Sequence, residues 1–502
     1  MRHASVIPLT GLLCDMPLLP WLRRTAAKVP LILVSNREPF VHHRTGDGLL
    51  VSAPAGGLTS ALQPVMAQSG GTWVAWGSGS GDFDVTDPLD GVMVPPDDPR
   101  YRLRRLRLSA CDLLGFYTET ANRAIWPLCH SQLTRFVYDA AHWHTYRKVN
   151  ERFAAAAIAE AQGRNAVCWV QDYQLALVPQ FLRRVKSLFV HQFWHIPWPA
   201  PDILRVFPEA RRLVAGLLGN HLLGFQTGND VRNFLTSVRR IFRDAVVEPA
   251  KGLVRLHGRR TVVRTFPISI DAEAFRAQAA HPDTEARAAE LRERFLPGGG
   301  TLLLGVDRAD YTKGIPRRLL AFERLLMDHP RLHGKVTLLQ VAVPSRSEVP
   351  EYQAFEAEIA ERVEALNVRH AQGHWVPVYL VRESLTQAEV TACYRAADIC
   401  LVTPLQDGMN LVAKEYVASQ EGKAGVLVLS RFAGAARELR EAELVNPYDT
   451  GAMAAAMLKA IETPEEERAR RMAALRRRVH RHTIGDWMTD IFEEVERLRP
   501  RA

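Results

Sequence analysis

The sequence predicts an α/β protein built as two doubly wound domains facing across a cleft. Three observations carry that reading. Short β-branched runs recur along most of the chain, apolar on both faces rather than alternating, as buried parallel strands are. Helical patterns lie between most of them, and this alternation specifies doubly wound sheets. The 502 residues suffice for two to four domains, at ~100–200 residues each.

The elements follow in chain order. The first series of strands is 31–35 (LILVS), 72–76 (TWVAW), 166–171 (AVCWVQ), 188–193 (LFVHQF), 222–226 (LLGFQ) and 262–268, with a helix over 149–162. It ends near Ile270. An alanine- and charge-rich helical stretch over 272–294 and the loop 297–300 (PGGG) follow. The second series is 301–306 (TLLLGV), 335–341 (KVTLLQV), 376–381 (VPVYLV), 399–404 (ICLVTP) and 425–429 (GVLVL), with a helix over 350–367. An amphipathic helix over 483–499 is expected to pack back across the first domain. The boundaries expected are an irregular extension over 1–28, an N-terminal domain over 29–270, a C-terminal domain over 271–475 and a returning helical segment over 476–502.

Composition narrows the class. Hydrophobic residues are 47% and charged residues 24%, which excludes disordered, collagen-like and coiled-coil chains. Lys plus Arg is 64 and Asp plus Glu 55, a net charge of +9. That excess suits nucleic acid, a membrane surface or a phosphorylated small substrate. The arginine-rich stretch 467–482 reads as a solvated helix face, without the aromatic interleaving that binds single strands, so nucleic acid is set aside. No apolar run reaches the ~18–20 residues of a membrane span. The run 12–20 is broken by Asp15 and Pro17 and does not read as a signal peptide. Six cysteines without metal-ligand spacing read as buried structural thiols. The expectation is a reduced, soluble, cytoplasmic protein.

Ligands of open α/β sheets bind beyond the carboxyl ends of the strands, and the unusual residues stand there. Arg37 follows the first strand, where a cation is costly unless it meets an anion. Gly56-Gly57 opens a helix and reads either as a plain turn or as a close approach of backbone to phosphate. Asp172 follows the strand 166–171 and either caps the next helix or accepts sugar hydroxyls. His195, held between Trp194 and the Pro197-Trp198-Pro199 run, suits either a core histidine or a sugar contact beside two tryptophans. Arg308 and Lys313 follow the first strand of the second domain and precede a helix, which suits a diphosphate; a pair of surface cations is the plain alternative. After 399–404 come the Asp407-Gly408 turn and a helix over 410–415. Its Glu415 is placed to take two ribose hydroxyls, or else to pair with Lys414 or Arg437. Neither GxGxxG nor GxxxxGK[ST] occurs, so nicotinamide and P-loop chemistry lose support.

With these residues in view, the chain resembles the trehalose-6-phosphate synthases, retaining sugar-nucleotide glycosyltransferases of the GT-B fold with two Rossmann-like domains. The resemblance covers about 31–458 and rests on Ser35-Asn36-Arg37, Gly56-Gly57-Leu58, Tyr117…Asn122…Trp126-Pro127, Asp172-Tyr173, His195-Ile196-Pro197, 223–227 (LGFQT), 401–420 (LVTPLQDGMNLVAKEYVASQ), 430–435 (SRFAGA) and Asn446-Pro447-Tyr448. It implies transfer of glucose from UDP-, GDP- or ADP-glucose to glucose 6-phosphate, giving α,α-trehalose 6-phosphate with the anomeric configuration retained. By the resemblance, Arg308 and Lys313 hold the donor diphosphate and Glu415 the ribose. Asp407 meets the donor glucose, and the backbone at Asn410 and Leu411 holds the donor too. Gly57 lets the diphosphate approach. Arg37, Tyr117, Trp126 and Arg346 form the acceptor set, and Trp76, Asp172 and His195 line the sugars. In such retaining enzymes the leaving phosphate deprotonates the incoming hydroxyl, so no protein nucleophile is implied. No cofactor and no metal are expected, since no metal-binding Asp-x-Asp motif is read; a homo-oligomer is left open. Gln171, Gln174, Ala309 and Ser269 depart from the residues usual in the family. A relative using glycerol 3-phosphate, or a non-catalytic sugar-phosphate sensor, are the competing readings.

Overall fold

The computed structural model describes residues 29–46, 48–53, 57–346 and 348–499. The 1–28 extension and Gly56 therefore lie outside the described residues. The chain divides into two compact units between Pro267 and Ile268, and the segment from Gly485 onward belongs to the first.

The first unit holds β1 (Leu31–Val34), β2 (Val41–Thr45), β3 (Gly48–Ser52), β4 (Thr72–Trp76), β5 (Gly91–Val94), β6 (Tyr101–Leu106), β7 (Ala166–Gln171), β8 (Leu188–Trp194), β9 (Leu222–Phe225), β10 (Val246–Glu248), β11 (Leu253–Leu256) and β12 (Arg259–Thr265). Ten of these strands form one sheet in the order β10-β11-β12-β9-β8-β7-β1-β4-β6-β5, and β2-β3 form a hairpin. From β12 to β6 every neighbour is parallel, while β5, β10 and β11 pair antiparallel at the edges. The central strands β1, β7 and β8 are buried along their whole length, as a sheet covered by helices on both faces requires.

The second unit holds β13 (Thr301–Arg308), β14 (Val336–Val343), β15 (Val378–Val381), β16 (Ile399–Val402), β17 (Val426–Ser430) and β18 (Glu443–Val445). These form one parallel sheet in the order β15-β14-β13-β16-β17-β18.

Several helices differ from the sequence expectation. The stretch 272–294 is two helices, Ala272–Ala279 and Pro282–Phe295. Pro282 has no amide hydrogen to continue the first and a φ suited to start the second. The arginine-rich helix Glu465–Arg481 runs unbroken through 475/476. It is more than a solvated face: Arg471 reaches Glu443 at 3.3 Å, Arg476 reaches Glu421 at 3.1 Å and Arg478 reaches Glu441 at 2.7 Å.

The last helix, Ile484–Leu498, packs on the first unit's sheet. Its Trp487 and Phe492 rings lie 5.7 and 5.1 Å from Trp169 of β7. The Trp487 indole donates to the Phe266 carbonyl at 3.1 Å, and Arg264 pairs with Glu494 at 2.8 Å. Cys129, Cys168, Cys393 and Cys400 are buried as expected, but Cys111 is exposed. It lies in the short helix Ala110–Leu113, which buries no residue. Among the described residues no helix is long and apolar enough to cross a membrane.

Candidate active site

Both sheets start in the middle. In the first unit the chain runs from β1 outward to β4 and β6, then returns to β7 and builds β8, β9 and β12 on the other side. The order therefore reverses between β1 and β7. In the second unit it reverses between β13 and β16. At such points the connections leave in opposite directions, and a crevice opens beyond the carboxyl ends of the strands. Arg37 and Asp172 stand at the first, Arg308–Lys313 and Asp407 at the second.

At the end of β1 the backbone alternates. Asn36 and Glu38 are buried, and the Arg37 side chain faces out. Its Nη2 donates to the Tyr117 hydroxyl at 3.3 Å. Tyr117 lies in a π-helix over Leu114–Ile125, a wide turn frequent at functional sites. The Trp76 ring, at the end of β4, lies 6.4 Å from Tyr117. Two residues of the expected acceptor set, Arg37 and Tyr117, thus meet Trp76, expected to line the sugars, in one cluster. Trp126 is buried, packed 4.1 Å from the His130 ring and 5.6 Å from Tyr173.

Asp172 has φ +64°, costly for a residue with a Cβ. It makes no side-chain cap to the following turn. Its Oδ1 instead accepts from the His195 amide at 3.1 Å, tying the ends of β7 and β8 together. His195 Nε2 contacts Gln171 Oε1 at 2.9 Å, so the departing glutamine holds the histidine. Burial pushes the His195 imidazole down to about 3. Near neutral pH it is an uncharged hydrogen-bonding group. Trp194 and Trp198, expected beside the sugar, are core residues: their rings pack 5.1 Å apart, and the Trp198 indole bonds Ser237.

In the second unit β13 leads through Arg308, Ala309 and Asp310 into a turn over Tyr311–Lys313. Gly314 has φ +69°, and a Cβ there would meet the Thr403 carbonyl at 2.6 Å. The Leu405 amide donates to the Thr312 carbonyl at 2.7 Å, so the two loops are bound edge to edge. Lys313 Nζ reaches Asp407 Oδ2 at 2.5 Å, with the side chains 13% and 15% exposed. The expected diphosphate cation and the expected glucose ligand are therefore one ion pair. Asn410, at φ +68°, donates to the same oxygen at 3.1 Å.

Arg308 is half exposed, 4.0 Å from Asp310 Oδ2. Arg346 belongs to this unit, and not to the one holding Arg37 and Tyr117. It is buried at φ +54° and pairs with Asp310 at 3.0 Å beside the Tyr352 hydroxyl. Burial alone would raise Asp310. Arg346, then Arg308 and Lys313, reverse this and hold the carboxyl at about 2.

The helix Val412–Ala418 begins just after Leu411. Glu415 does not pair with its neighbour: Lys414 turns to Glu438 at 3.0 Å and to the Ile268 carbonyl. Its Oε2 accepts from the Tyr394 hydroxyl at 2.7 Å. Burial raises the Glu415 carboxyl, and the phenol partly offsets this. Gly57 heads the helix Gly57–Ser69.

Sequence reasoning missed Asp310, Tyr352 and Tyr394, each of which holds an expected site residue. Asp310 lies inside the Arg308–Lys313 motif and was legible there; Tyr394 carries no motif. It also missed a buried group beneath Arg37: Arg105 donates to Glu38 at 2.7 Å and lies 3.1 Å from Asp82, with His42 beside it. Asp82 and Asp84 form an Asp-x-Asp that the sequence reading did not single out. Asp82 is spent on Arg105 and two amides, and Asp84 on Arg44. Among the described residues no three His, Cys, Asp or Glu side chains stand together so as to hold a metal.

The sequence pattern of glycosyltransferase family 20 matches residues 30–497. The trehalose-6-phosphate synthase of Mycobacterium avium (strain 104) is 41% identical over 479 residues, spanning 94% of this chain and 96% of its own. A solved E. coli structure with UDP-2-fluoro glucose bound is 32% identical with TM-score 0.83, covering 94% of this chain and 100% of that one. The alpha,alpha-trehalose-phosphate synthase (UDP-forming) from Burkholderia xenovorans in complex with glucose-6-phosphate is 31% identical with TM-score 0.82, covering 93% and 100%.

Proposed function

The chain belongs to glycosyltransferase family 20 and has the GT-B fold, and from that premise we propose that it moves glucose from a nucleoside-diphosphate glucose to glucose 6-phosphate with retention. The product is α,α-trehalose 6-phosphate. The observation that carries the reading is the Lys313–Asp407 pair at the reversal point of the second sheet. An ammonium has three donors. Lys313 can keep Asp407 and still take a diphosphate oxygen, so the donor's charged and sugar ends are read by one linked pair. The contacts to Asp407 fall on Oδ2, which leaves Oδ1 for a glucose hydroxyl.

On the second unit Arg308, with the backbone at Asn410 and Leu411, completes the hold on the donor, and Glu415 takes the ribose; Gly57 is the first unit's expected approach to the diphosphate. On the first unit Arg37 and Tyr117 bind the acceptor phosphate, and Arg346 is the second unit's expected acceptor contact. Trp76, Trp126, Asp172 and His195 shape the sugar sites, Trp126 from beneath through Tyr173. As the C1–O bond to the diphosphate breaks, negative charge grows on the leaving oxygen, where fixed cations stabilise it most. The acceptor hydroxyl forms the new bond to C1 and gives its proton to that oxygen. A neutral His195 fits this scheme, because the proton passes between substrates.

A panel of UDP-, GDP- and ADP-glucose against glucose 6-phosphate and glycerol 3-phosphate, with product identification, tests the proposal. Trehalose 6-phosphate in the α,α form is expected from at least one donor. Consumption of glycerol 3-phosphate alone, or no transfer from any donor, refutes it.

A further inference from the structure

Glu415 is unusual among the inward-facing carboxylates of the second unit. Asp307 has Arg318 at 2.6 Å, Asp310 has Arg346 and Asp407 has Lys313. Among the described residues no Lys, Arg or His makes an ion pair with Glu415, and its one side-chain hydrogen bond comes from Tyr394. A half-buried carboxylate without a cation is costly, and neutral hydroxyl donors are what would complete it.

Tyr394 is built to stay where it is. Its side chain is fully buried at the end of the helix Gln387–Ala396, 6.2 Å edge-on from Tyr416. Gln420 donates to its carbonyl at 2.7 Å, and Arg395 donates to the Ser419 and Glu421 carbonyls at 3.2 and 2.8 Å. Lys423 caps the Arg395 and Ala397 carbonyls at 2.7 and 2.9 Å. These bonds lock the end of Tyr394's helix to the end of Glu415's. Burial, then the neighbouring carboxylate, raises the phenol far above its ordinary range, so Tyr394 is always the donor.

We infer that Tyr394 is a positioning residue which fixes the Glu415 carboxylate as a reader of the donor's ribose diol, and so sets discrimination against 2′-deoxynucleoside diphosphate sugars. The inference rests on the proposed role of Glu415. The phenol occupies one lone pair of Oε2 and fixes the carboxylate plane. Oε1 and the second lone pair of Oε2 remain, two acceptors suited to two vicinal hydroxyls. A donor lacking the 2′-hydroxyl would leave one buried acceptor empty.

The test uses the full chain, its best nucleoside-diphosphate glucose and the 2′-deoxy form of that donor. Tyr394→Phe removes one oxygen. A hydrogen bond to a charged group is worth ~1.5–3 kcal/mol, so the ribo donor's kcat/KM should fall about ten-fold or more. That loss should lie in donor KM, with kcat and acceptor KM unchanged. The deoxy donor should lose less, so the ribo/deoxy ratio contracts. Glu415→Asp, which draws the carboxylate back from the phenol, should contract the ratio as well. Equal losses for both donors, a raised acceptor KM alongside, or an unchanged ratio in either variant overturns the inference. Glu415→Gln separates the two levels: if it leaves donor KM untouched, the ribose reading itself has failed. If it raises donor KM while Tyr394→Phe does not, only the role of Tyr394 has.

Discussion

Lys313 and Arg346 are both cations held by carboxylates, yet substitution should affect them differently. Asp407 is partly open, so removing Lys313 leaves a carboxylate that water can reach. Lys313→Ala should therefore fold, and lose about 10²–10³ in kcat, the ~3–4 kcal/mol typical of a lost transition-state donor. Steady-state kinetics check this; a change confined to acceptor KM would falsify its place at the leaving group. Arg346 sits over Asp310, which is fully buried. Arg346→Ala strands that charge, and breaking a buried pair costs ~3–5 kcal/mol, so a fall in thermal stability should come first. Arg346→Lys keeps the charge but loses the fork. In that variant acceptor KM should rise with the melting midpoint nearly unchanged, and an unaltered acceptor KM removes Arg346 from the acceptor set.

Loops at strand ends, more than helices, position this chemistry. A Cβ on Gly434 would lie 2.0 Å from the Gly408 carbonyl, and the Gly434 amide donates to the Asp407 carbonyl at 3.2 Å. Gly434→Ala must push the Asp407 turn away from Lys313. Donor KM should rise and stability fall by ~1–3 kcal/mol, as overpacking does; calorimetry with donor titration reads both.

The buried group under Arg37 makes a second element-level prediction. Arg105, wholly buried, also bonds the Phe40 and Asp82 carbonyls; Glu38 accepts from the Ser78 amide, and Asp82 from the His42 and Gly79 amides. It thereby clamps the loops that carry Arg37 and Trp76. Burial, then the hydrogen bond to Asp82, raises Glu38 from 4.5 to about 8 against the pull of Arg105, while Asp82 is held well below its ordinary range. With Glu38 protonated, Arg105 and Asp82 balance. Above about 4.5 the unfolded chain releases the proton and the folded chain keeps it, so stability falls as pH rises toward about 8. The slope is about 1.4 kcal/mol per pH unit. Glu38→Gln should flatten the melting midpoint between pH 5 and 8, and a slope equal to the parent's contradicts the assignment.

For the molecule as a whole, two sheets with the same plan place their reversal points under the two groups of candidate residues. The first unit is finished by residues more than 200 positions from its nearest strand. Trp487, Met488, Ile491 and Phe492 are fully buried on its sheet. Trp487→Ala should cost ~3–5 kcal/mol, and truncation at Gly485 should leave an apolar face that aggregates. Urea unfolding and light scattering test these; a truncated chain as stable as the parent would show the helix to be dispensable.

The sequence by itself determined the doubly wound class, the central strands and the residues at their ends. A buried parallel strand is an uninterrupted apolar run, and functional groups must follow it. Strands that are not apolar on both faces escaped that criterion: β6 (YRLRRL) carries three arginines, and β2, β5, β10 and β11 are hairpin or edge strands. Tertiary structure alone decided which charges pair. Lys414, the cation next to Glu415 in sequence, turns to Glu438 instead, and Tyr394, 21 residues away, supplies the partner of Glu415. Likewise Lys313 meets Asp407 across 94 residues, and Glu38 meets Arg105 across 67. A side chain's partner depends on distance in space, and local sequence does not encode how loops from separate strands converge.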